Sequence, residues 1–217
     1  MLKKDSFKGS MLFLVGLTGG IGTGKSTVLA GLKTRGFSCI DVDKYAKDAL
    51  RKGTSCYERV VALFGPSILL PNGEINRACL RDIILQDAQK RRLLEDIVHP
   101  QVLSDLEAQI KAYVEQGIGI VVVEVPLLYE VGWQSLFACV VCVVSREETA
   151  LRRLMRRHNV DEETAKTWLR TQIPIQEKAK MADFVVANDG SIEELEEKVE
   201  ALAKWIKKEY KDCVAVF

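Results

Sequence analysis

The sequence has little of what marks several large classes of protein. Lys and Arg number 31 against 30 Asp and Glu, which leaves a formal charge of +1, whereas a general nucleic-acid binder usually carries a strong basic excess. The longest apolar runs, IGIVVVEVPLL and LFACVVCVV, are far shorter than the ~20 residues that cross a bilayer. We therefore expect neither nucleic acid nor a membrane as a partner, and any anion must bind at a local site.

Metal-binding and disulfide patterns are also scarce. The two histidines, His99 and His158, are not spaced as a metal pair. The six cysteines lie in apolar or helical contexts, and the N-terminal apolar run of about seven residues leads into a glycine loop rather than a cleavage site. This pattern predicts reduced thiols in a cytoplasmic protein. Cys139 and Cys142 have an odd spacing on a predicted strand, so we expect them on opposite faces as core residues.

The stretch GLTGGIGTGKST, residues 16–27, carries the strongest chemical signal. It contains G-x-x-x-x-G-K-[ST] from Gly19 to Ser26, between an apolar strand and an amphipathic helix. In this arrangement backbone N–H groups and the helix N-terminus hold phosphates, the lysine reaches the β- and γ-phosphate oxygens, and the hydroxyl binds Mg²⁺. We therefore expect ATP and Mg²⁺ at Gly20, Ile21, Gly22, Thr23, Gly24, Lys25, Ser26 and Thr27, with Ser26 as the metal ligand.

The order of apolar runs predicts an α/β fold with a doubly wound parallel sheet of the P-loop kinase type. Strands are predicted at 12–17, 37–41, 118–125, 137–144 and 184–187, with helices between them. We expect one domain over 11–217, with 1–10 as an N-terminal extension, 44–116 as a helical insertion on the acceptor side, and about 146–180 as a lid. Within the insertion, Pro100 predicts a helix break near His99.

Three acidic residues are predicted at the edge of the sheet that carries the glycine loop. The second strand brings Asp41 and Asp43 to this edge, where ligands of open α/β sheets bind. Asp43 is the candidate base for an attacking hydroxyl, although a strand-end acid and a helix cap would explain the two residues as well. Glu124 ends another buried strand. It is predicted either to act through a metal or to bond to the glycine loop, and the sequence leaves both open.

An arginine-rich helix follows the fourth strand. Arg152, Arg153, Arg156 and Arg157 form two pairs at i,i+4 spacing, and guanidinium groups match phosphate geometry. A solvated helix face would also carry such a run, but beside a phosphate loop we favour a lid that closes on ATP through Arg153 and Arg157. Ser145 and Glu148 predict a capping box at the start of this helix.

Taken in order, these motifs resemble the dephospho-CoA kinase family from residue 11 to residue 190. The matching segments are VGLTGGIGTGKSTV, IDVDKYAK, FGPSILLPNGEINRACLRDIIL, HPQV, VPLLYE, and RRLMRRHNV with QIPIQEKAKMADFVVANDG. The resemblance implies transfer of the γ-phosphoryl group of ATP to the ribose 3′-hydroxyl of dephospho-CoA, with Mg²⁺. This sequence departs from the family pattern at Glu124, where many members carry Asp, and at His158, which stands where an acid is common.

The same resemblance implies roles for particular residues. The catalytic set is Asp43 as base with Lys25 and Arg153. Arg157 is a second lid arginine, and Asn188 lies on the adenine side of ATP. The acceptor side is lined by His99, Pro126, Leu127 and Glu130.

Two other functions remain open at this stage. One is a kinase of the same fold that acts on a nucleoside or nucleotide. The other is a nucleotide-gated switch, which would keep the glycine loop and lack an acceptor. The guanine-reading N-K-x-D pattern is absent from the sequence, which disfavours a GTPase switch.

Overall fold

The structure is a computed structural model that describes residues 12–215, so the predicted extension at 1–10 lies outside the described residues. The strands are β1 (Phe13–Gly19), β2 (Ser38–Asp41), β3 (Ile120–Glu124), β4 (Cys139–Val144) and β5 (Phe184–Ala187). The helices are α1 (Lys25–Thr34), α2 (Val42–Ala49), α3 (Ser55–Phe64), α4 (Arg77–Gln86), α5 (Ala88–Glu115), α6 (Glu147–His158), α7 (Glu162–Arg170), α8 (Ile175–Lys180) and α9 (Ile192–Val214). Short 3-10 helices occupy Pro66–Ile68 and Trp133–Leu136.

The described chain divides into two compact units, residues 42–112 and residues 12–41 with 113–215. The second unit is built on a sheet of five parallel strands in the order β2-β3-β1-β4-β5. β1 is central and buried along its whole length, as expected for a parallel strand covered on both faces. Since all strands run the same way, their carboxyl ends share one edge. The predicted doubly wound parallel sheet is confirmed.

Helices α1 and α9 cover one face of the sheet. The core on this side is formed by Phe13, Val15, Leu17, Val28, Leu32, Phe37, Val122, Cys139, Val141, Val143, Val186, Leu195, Val199, Leu202, Ala203 and Ile206. On the other face, Leu128 and Phe137 pack so closely on β1 that a Cβ added to Gly16 would lie 2.7 Å from Leu128 Cδ1. The segment after β3 is thereby held against the central strand.

Cys139 and Cys142 are both buried and unoxidised. Cys139 belongs to the core under α1 and α9, and the alternation of β4 turns Cys142 to the opposite face. Burial raises the pKa of the Cys139 thiol to about 12 and that of Cys142 to about 11. The prediction of two core thiols is confirmed.

The helical unit, residues 42–112, contains α2, α3, α4 and most of α5. Asn76 accepts a hydrogen bond from Cys79 N at the start of α4. The predicted break near His99 and Pro100 is wrong, because α5 continues through Pro100 as one helix. Proline removes a single backbone donor, whereas the apolar stripe of this helix runs unbroken past it, with Ile97, Val98, Val102, Leu106 and Ile110 buried.

Within residues 12–215, none of the helices combines the length and the apolar character that crossing a membrane requires.

Candidate active site

The loop between β1 and α1 is shaped by glycines in conformations that other residues rarely adopt. Gly22 and Gly24 have φ of 77° and 92°, in the left-handed region that favours glycine. A Cβ on Gly22 would lie 2.6 Å from the Ala150 carbonyl oxygen, and one on Gly24 would lie 2.1 Å from Asn188 Nδ2. The loop therefore needs glycine at these positions for space as well as for backbone geometry.

Hydrogen bonds fix the loop to itself and to the end of β5. Thr23 Oγ1 donates to the Gly20 carbonyl over 2.9 Å. The buried Asn188 donates from Nδ2 to the Thr23 carbonyl over 2.8 Å, while its own backbone N–H donates to Val144 O over 2.8 Å. The structure thus places the Asn188 amide on the backbone of the phosphate loop. Its contact with the adenine side of ATP stays a prediction.

Lys25 is held at the loop rather than in solvent. Its side chain is buried, and its Nζ donates to the carbonyl oxygens of Gly20 over 2.8 Å and of Gly19 over 3.3 Å. Helix α1 begins at the same residue, and the first N–H groups of a helix have no partner within it. A cation and a set of backbone donors therefore converge at one point, which suits a polyphosphate.

Glu124, the last residue of β3, contacts the start of α1. Ser26 Oγ donates to Glu124 Oε1 over 3.2 Å, and Glu124 is 4% exposed. Of the two roles left open for Glu124, the structure shows a hydrogen bond next to the glycine loop, to the residue predicted as the metal ligand. A hydroxyl and a carboxylate oxygen are ligands that Mg²⁺ prefers, so this pair fits the ion.

No group of three or more His, Cys, Asp or Glu side chains within residues 12–215 is arranged to hold a metal ion.

Helix α6 brings Arg153 to the phosphate loop. Arg153 Nη1 donates to Asn188 O over 3.1 Å and to Gly22 O over 3.4 Å. Arg157, one turn further along, is exposed. The structure therefore places the first predicted lid arginine against the loop backbone, and the contact of Arg157 with ATP stays a prediction.

The predicted capping box of Ser145 and Glu148 is wrong. The N-cap of α6 is Arg146, and no side chain caps the helix from that position. Instead, the backbone N–H of Arg146 donates to Asp189 Oδ1 over 2.7 Å. The side chain that accepts this hydrogen bond therefore comes from the segment after β5 and not from the residues next to the helix start.

Sequence reasoning missed Lys178, a lysine with no exposed surface. Its Nζ lies 2.6 Å from Glu130 Oε1 and donates to the Pro126 carbonyl over 3.3 Å. Glu130 Oε1 also accepts a hydrogen bond from Ile173 N over 3.1 Å. The contacts that Pro126, Leu127 and Glu130 make with an acceptor stay predictions. Only the spacing of Lys178 on α8, two residues before the exposed Lys180, could have suggested a different environment.

Asp43 and His99 belong to the helical unit. Strand β2 ends at Asp41, so Asp43 lies beyond the strand, exposed in the first turn of α2. His99 is half-buried on α5, and burial lowers the pKa of its imidazole. The roles of both residues stay predictions.

A parallel α/β sheet whose central strand enters this loop, with Lys25 and Ser26 at the helix start, defines a nucleotide-binding protein of the P-loop class. Residues 13–194 match the family described as dephospho-CoA kinase, so the chain belongs to the dephospho-CoA kinase family. The resemblance seen in the sequence is confirmed.

Individual relatives agree with this assignment. A dephospho-CoA kinase of Carboxydothermus hydrogenoformans is 40% identical over 196 residues, which cover 90% of this chain and 95% of the relative. One of Arabidopsis thaliana is 40% identical over 187 residues, covering 86% and 81%.

Solved structures support the fold. A crystal structure from Thermus thermophilus has a TM-score of 0.76 at 32% identity and covers 88% of this chain and 96% of its own. The dephospho-CoA kinase of Campylobacter jejuni has a TM-score of 0.65 at 28% identity, covering 90% and 97%. A shikimate kinase from Bacteroides thetaiotaomicron, at 15% identity and a TM-score of 0.51, shares the fold. The predicted P-loop kinase fold is confirmed.

Proposed function

We propose that this protein transfers the γ-phosphoryl group of ATP to the ribose 3′-hydroxyl of dephospho-CoA and releases CoA and ADP, the last step of coenzyme A biosynthesis. The observation that carries the proposal is a phosphate loop with a buried lysine and a Ser26–Glu124 pair in a chain of the dephospho-CoA kinase family. Free cysteines throughout residues 12–215 favour the cytoplasm as its location.

The phosphate loop and Lys25 act by electrostatics. Phosphoryl transfer spreads negative charge over the oxygens of the transferring group, and catalysis depends on positioning and on charge stabilisation. The Lys25 ammonium already lies at the Gly20 carbonyl, so it reaches bound phosphates with little reorganisation. Arg153 adds a second cation on the α6 side of the loop.

Ser26 and Glu124 would hold the magnesium ion in this proposal, since a hydroxyl and a carboxylate oxygen are ligands that the ion prefers. When bound, the ion neutralises charge on the β- and γ-phosphate oxygens. Glu124 meanwhile orients the Ser26 hydroxyl through the hydrogen bond already present.

Asp43 accepts or steers the proton of the ribose 3′-hydroxyl. The support is its match to the family D-x-D in IDVDKYAK and its place two residues after β2 ends at Asp41. A carboxylate within reach of the attacking hydroxyl supplies general-base catalysis. Residues 44–116 with His99, Pro126, Leu127 and Glu130 receive the acceptor, and the lid at 146–180 closes with Arg153 and Arg157 to exclude water.

The acceptor is tested by measuring ADP release with dephospho-CoA, adenosine, AMP and pantetheine phosphate in parallel. We expect turnover with dephospho-CoA, and a product that carries the new phosphate on the 3′-oxygen by ³¹P NMR. Turnover limited to one of the other three compounds would reassign the acceptor. Nucleotide binding without turnover on any of them would favour the switch instead.

Lys25→Ala is the matched control for this assay. Loss of electrostatic stabilisation of this kind lowers kcat by ~10² or more. ADP release that survives the substitution comes from a contaminating enzyme or from a mechanism that does not use the loop.

A further inference from the structure

A contribution to stability does not by itself explain why the ion pair of Lys178 and Glu130 is buried. Lys178 is 0% exposed, and its Nζ is 2.6 Å from Glu130 Oε1. Removing two charges from water carries a penalty that apolar residues of similar volume avoid, so such a pair is weak evidence for a stabilising role. Its other contacts show what it holds.

Lys178 fixes the point where the chain leaves β3. Its Nζ donates to the Pro126 carbonyl over 3.3 Å, and the same oxygen accepts from Thr18 Oγ1 over 3.3 Å. Thr18 immediately precedes Gly19 at the end of β1, and Pro126 comes two residues after Glu124. The lysine therefore ties the exit of β3 to the strand that enters the phosphate loop.

The helix that carries Lys178 also contacts the loop. Glu130 Oε1 accepts from Ile173 N over 3.1 Å, which fixes the segment just before α8. A Cβ added to Gly20 would lie 3.6 Å from Ile175 Cδ1, so the first residue of α8 packs on the loop backbone. Helix α8 and the segment before it therefore contact both the loop and the β3 exit.

We propose that Lys178 is a positioning residue for phosphoryl transfer, which holds the β3 exit through Pro126 so that Glu124 stays opposite Ser26, while Glu130 holds the ammonium group. This inference rests on the proposed function. Lys178 acts on the chemical step more than on nucleotide binding, because Asn188 and Arg153 secure the loop independently of it.

The test is Lys178→Met, with ADP binding and kcat measured on the same preparation well below its melting temperature. Counting ADP-binding sites gives the amount of folded enzyme, so that kcat is expressed per competent molecule. Removing one partner of a buried pair lowers Tm by roughly 10 °C in a chain of this size. Changing residues behind the direct ligands typically lowers activity by about tenfold or more.

We expect kcat per ADP-binding site to fall about tenfold, as for other groups that orient direct ligands, with the Kd for ADP little changed. Lys178→Arg keeps the charge and the donors, so it should recover much of kcat. Lys180→Met removes a side chain that is 70% exposed and pairs with Glu177 on the surface; this matched control should behave as the unmodified chain. A normal kcat per site in Lys178→Met would overturn the proposal.

Should Lys178→Met fail to fold, the double variant Lys178→Met/Glu130→Gln removes the uncompensated buried charge, which is the main cost of breaking such a pair. It is compared with Glu130→Gln alone, in which the lysine can still reach Pro126 O. Equal kcat in these two variants would contradict the role of Lys178. All rates are measured with the acceptor that the wild-type chain phosphorylates. If the wild-type chain does not phosphorylate dephospho-CoA, the proposed acceptor is wrong, but the comparison of the Lys178 and Glu130 variants still tests the role of Lys178.

Discussion

Ser26 and Glu124 are 98 positions apart in the chain, yet Ser26 Oγ donates to Glu124 Oε1 over 3.2 Å. Parallel pairing of β1 with β3, with Leu17 opposite Glu124, produces this meeting. Glu124→Gln keeps an acceptor for the hydroxyl but removes the charge. We expect kcat to fall about 10–100-fold, the usual scale for groups that orient metal ligands, and saturation to require more Mg²⁺.

The control for Glu124 is Asp41→Asn. Asp41 ends the neighbouring strand in register with Glu124, so it shares the position on the sheet edge, but its side chain is exposed whereas Glu124 is buried. A kcat and a Mg²⁺ dependence that change equally in both variants would mean that general charge at this edge, rather than the Glu124 contact, is responsible.

Asn188 secures the phosphate loop by donating to Thr23 O. Asn188→Ala leaves that carbonyl without this donor, and Asn188→Asp places a carboxylate against it. A buried acceptor that loses its donor is destabilised by ~1–3 kcal/mol, so calorimetric titration should show ADP affinity falling about tenfold or more, further for Asp than for Ala. Asn72→Ala, at an exposed position, provides the control, and equal affinities across the set would show that the loop holds its shape without Asn188.

The substitution Asp43→Asn tests whether Asp43 is the general base for the attacking hydroxyl. The amide cannot accept the hydroxyl proton, so we expect kcat to fall by ~10²–10⁴, the range for general-base groups, with ATP affinity little changed. Asp48→Asn alters another acid on the same helix, one that pairs with Arg51, and should retain activity. Turnover close to that of the unmodified chain in Asp43→Asn would remove this residue from the mechanism.

The different burial of the cysteines leads us to expect a selective pattern of alkylation. Only the thiolate attacks iodoacetamide, and burial raises the pKa of Cys139 to about 12 and of Cys142 to about 11. At pH 8, well below both values, the two thiols stay protonated and shielded, while the exposed Cys213 reacts first. Peptide mass spectrometry should show Cys139 and Cys142 modified only after unfolding. Rapid native labelling of either, at the rate of Cys213, would mean that β4 opens locally.

The sheet and the loop could be predicted because their signals are local. Each buried parallel strand is a short apolar run, and GTGKS needs only its own glycines and the strand before it. Helix α5 shows the limit, since Pro100 is a strong local signal that the continuous buried stripe of Ile97 to Ile110 overrides.

The rest of the candidate site depends on pairs that are distant in sequence. The burial of Lys178 depends on Glu130, which lies 48 positions earlier, and the only local signal is its two-residue spacing from the exposed Lys180 on the same helix. The residues around Ser145 predict a capping box with Glu148, but the acceptor at the start of α6 is Asp189, which lies 43 positions after Arg146. Such contacts follow from the order of the strands in the sheet, and local sequence patterns do not reveal that order.

The strand order also bears on how the chain is made. β2 and β1 are separated in the sheet by β3, and β2 ends at Asp41 whereas β3 begins at Ile120. A ribosome adding 5–20 residues per second therefore carries two early strands that have no partner for roughly 4–16 s. During that interval their backbone edges are open to other nascent chains, so slowing translation between Asp41 and Ile120 should increase the chain's dependence on chaperones.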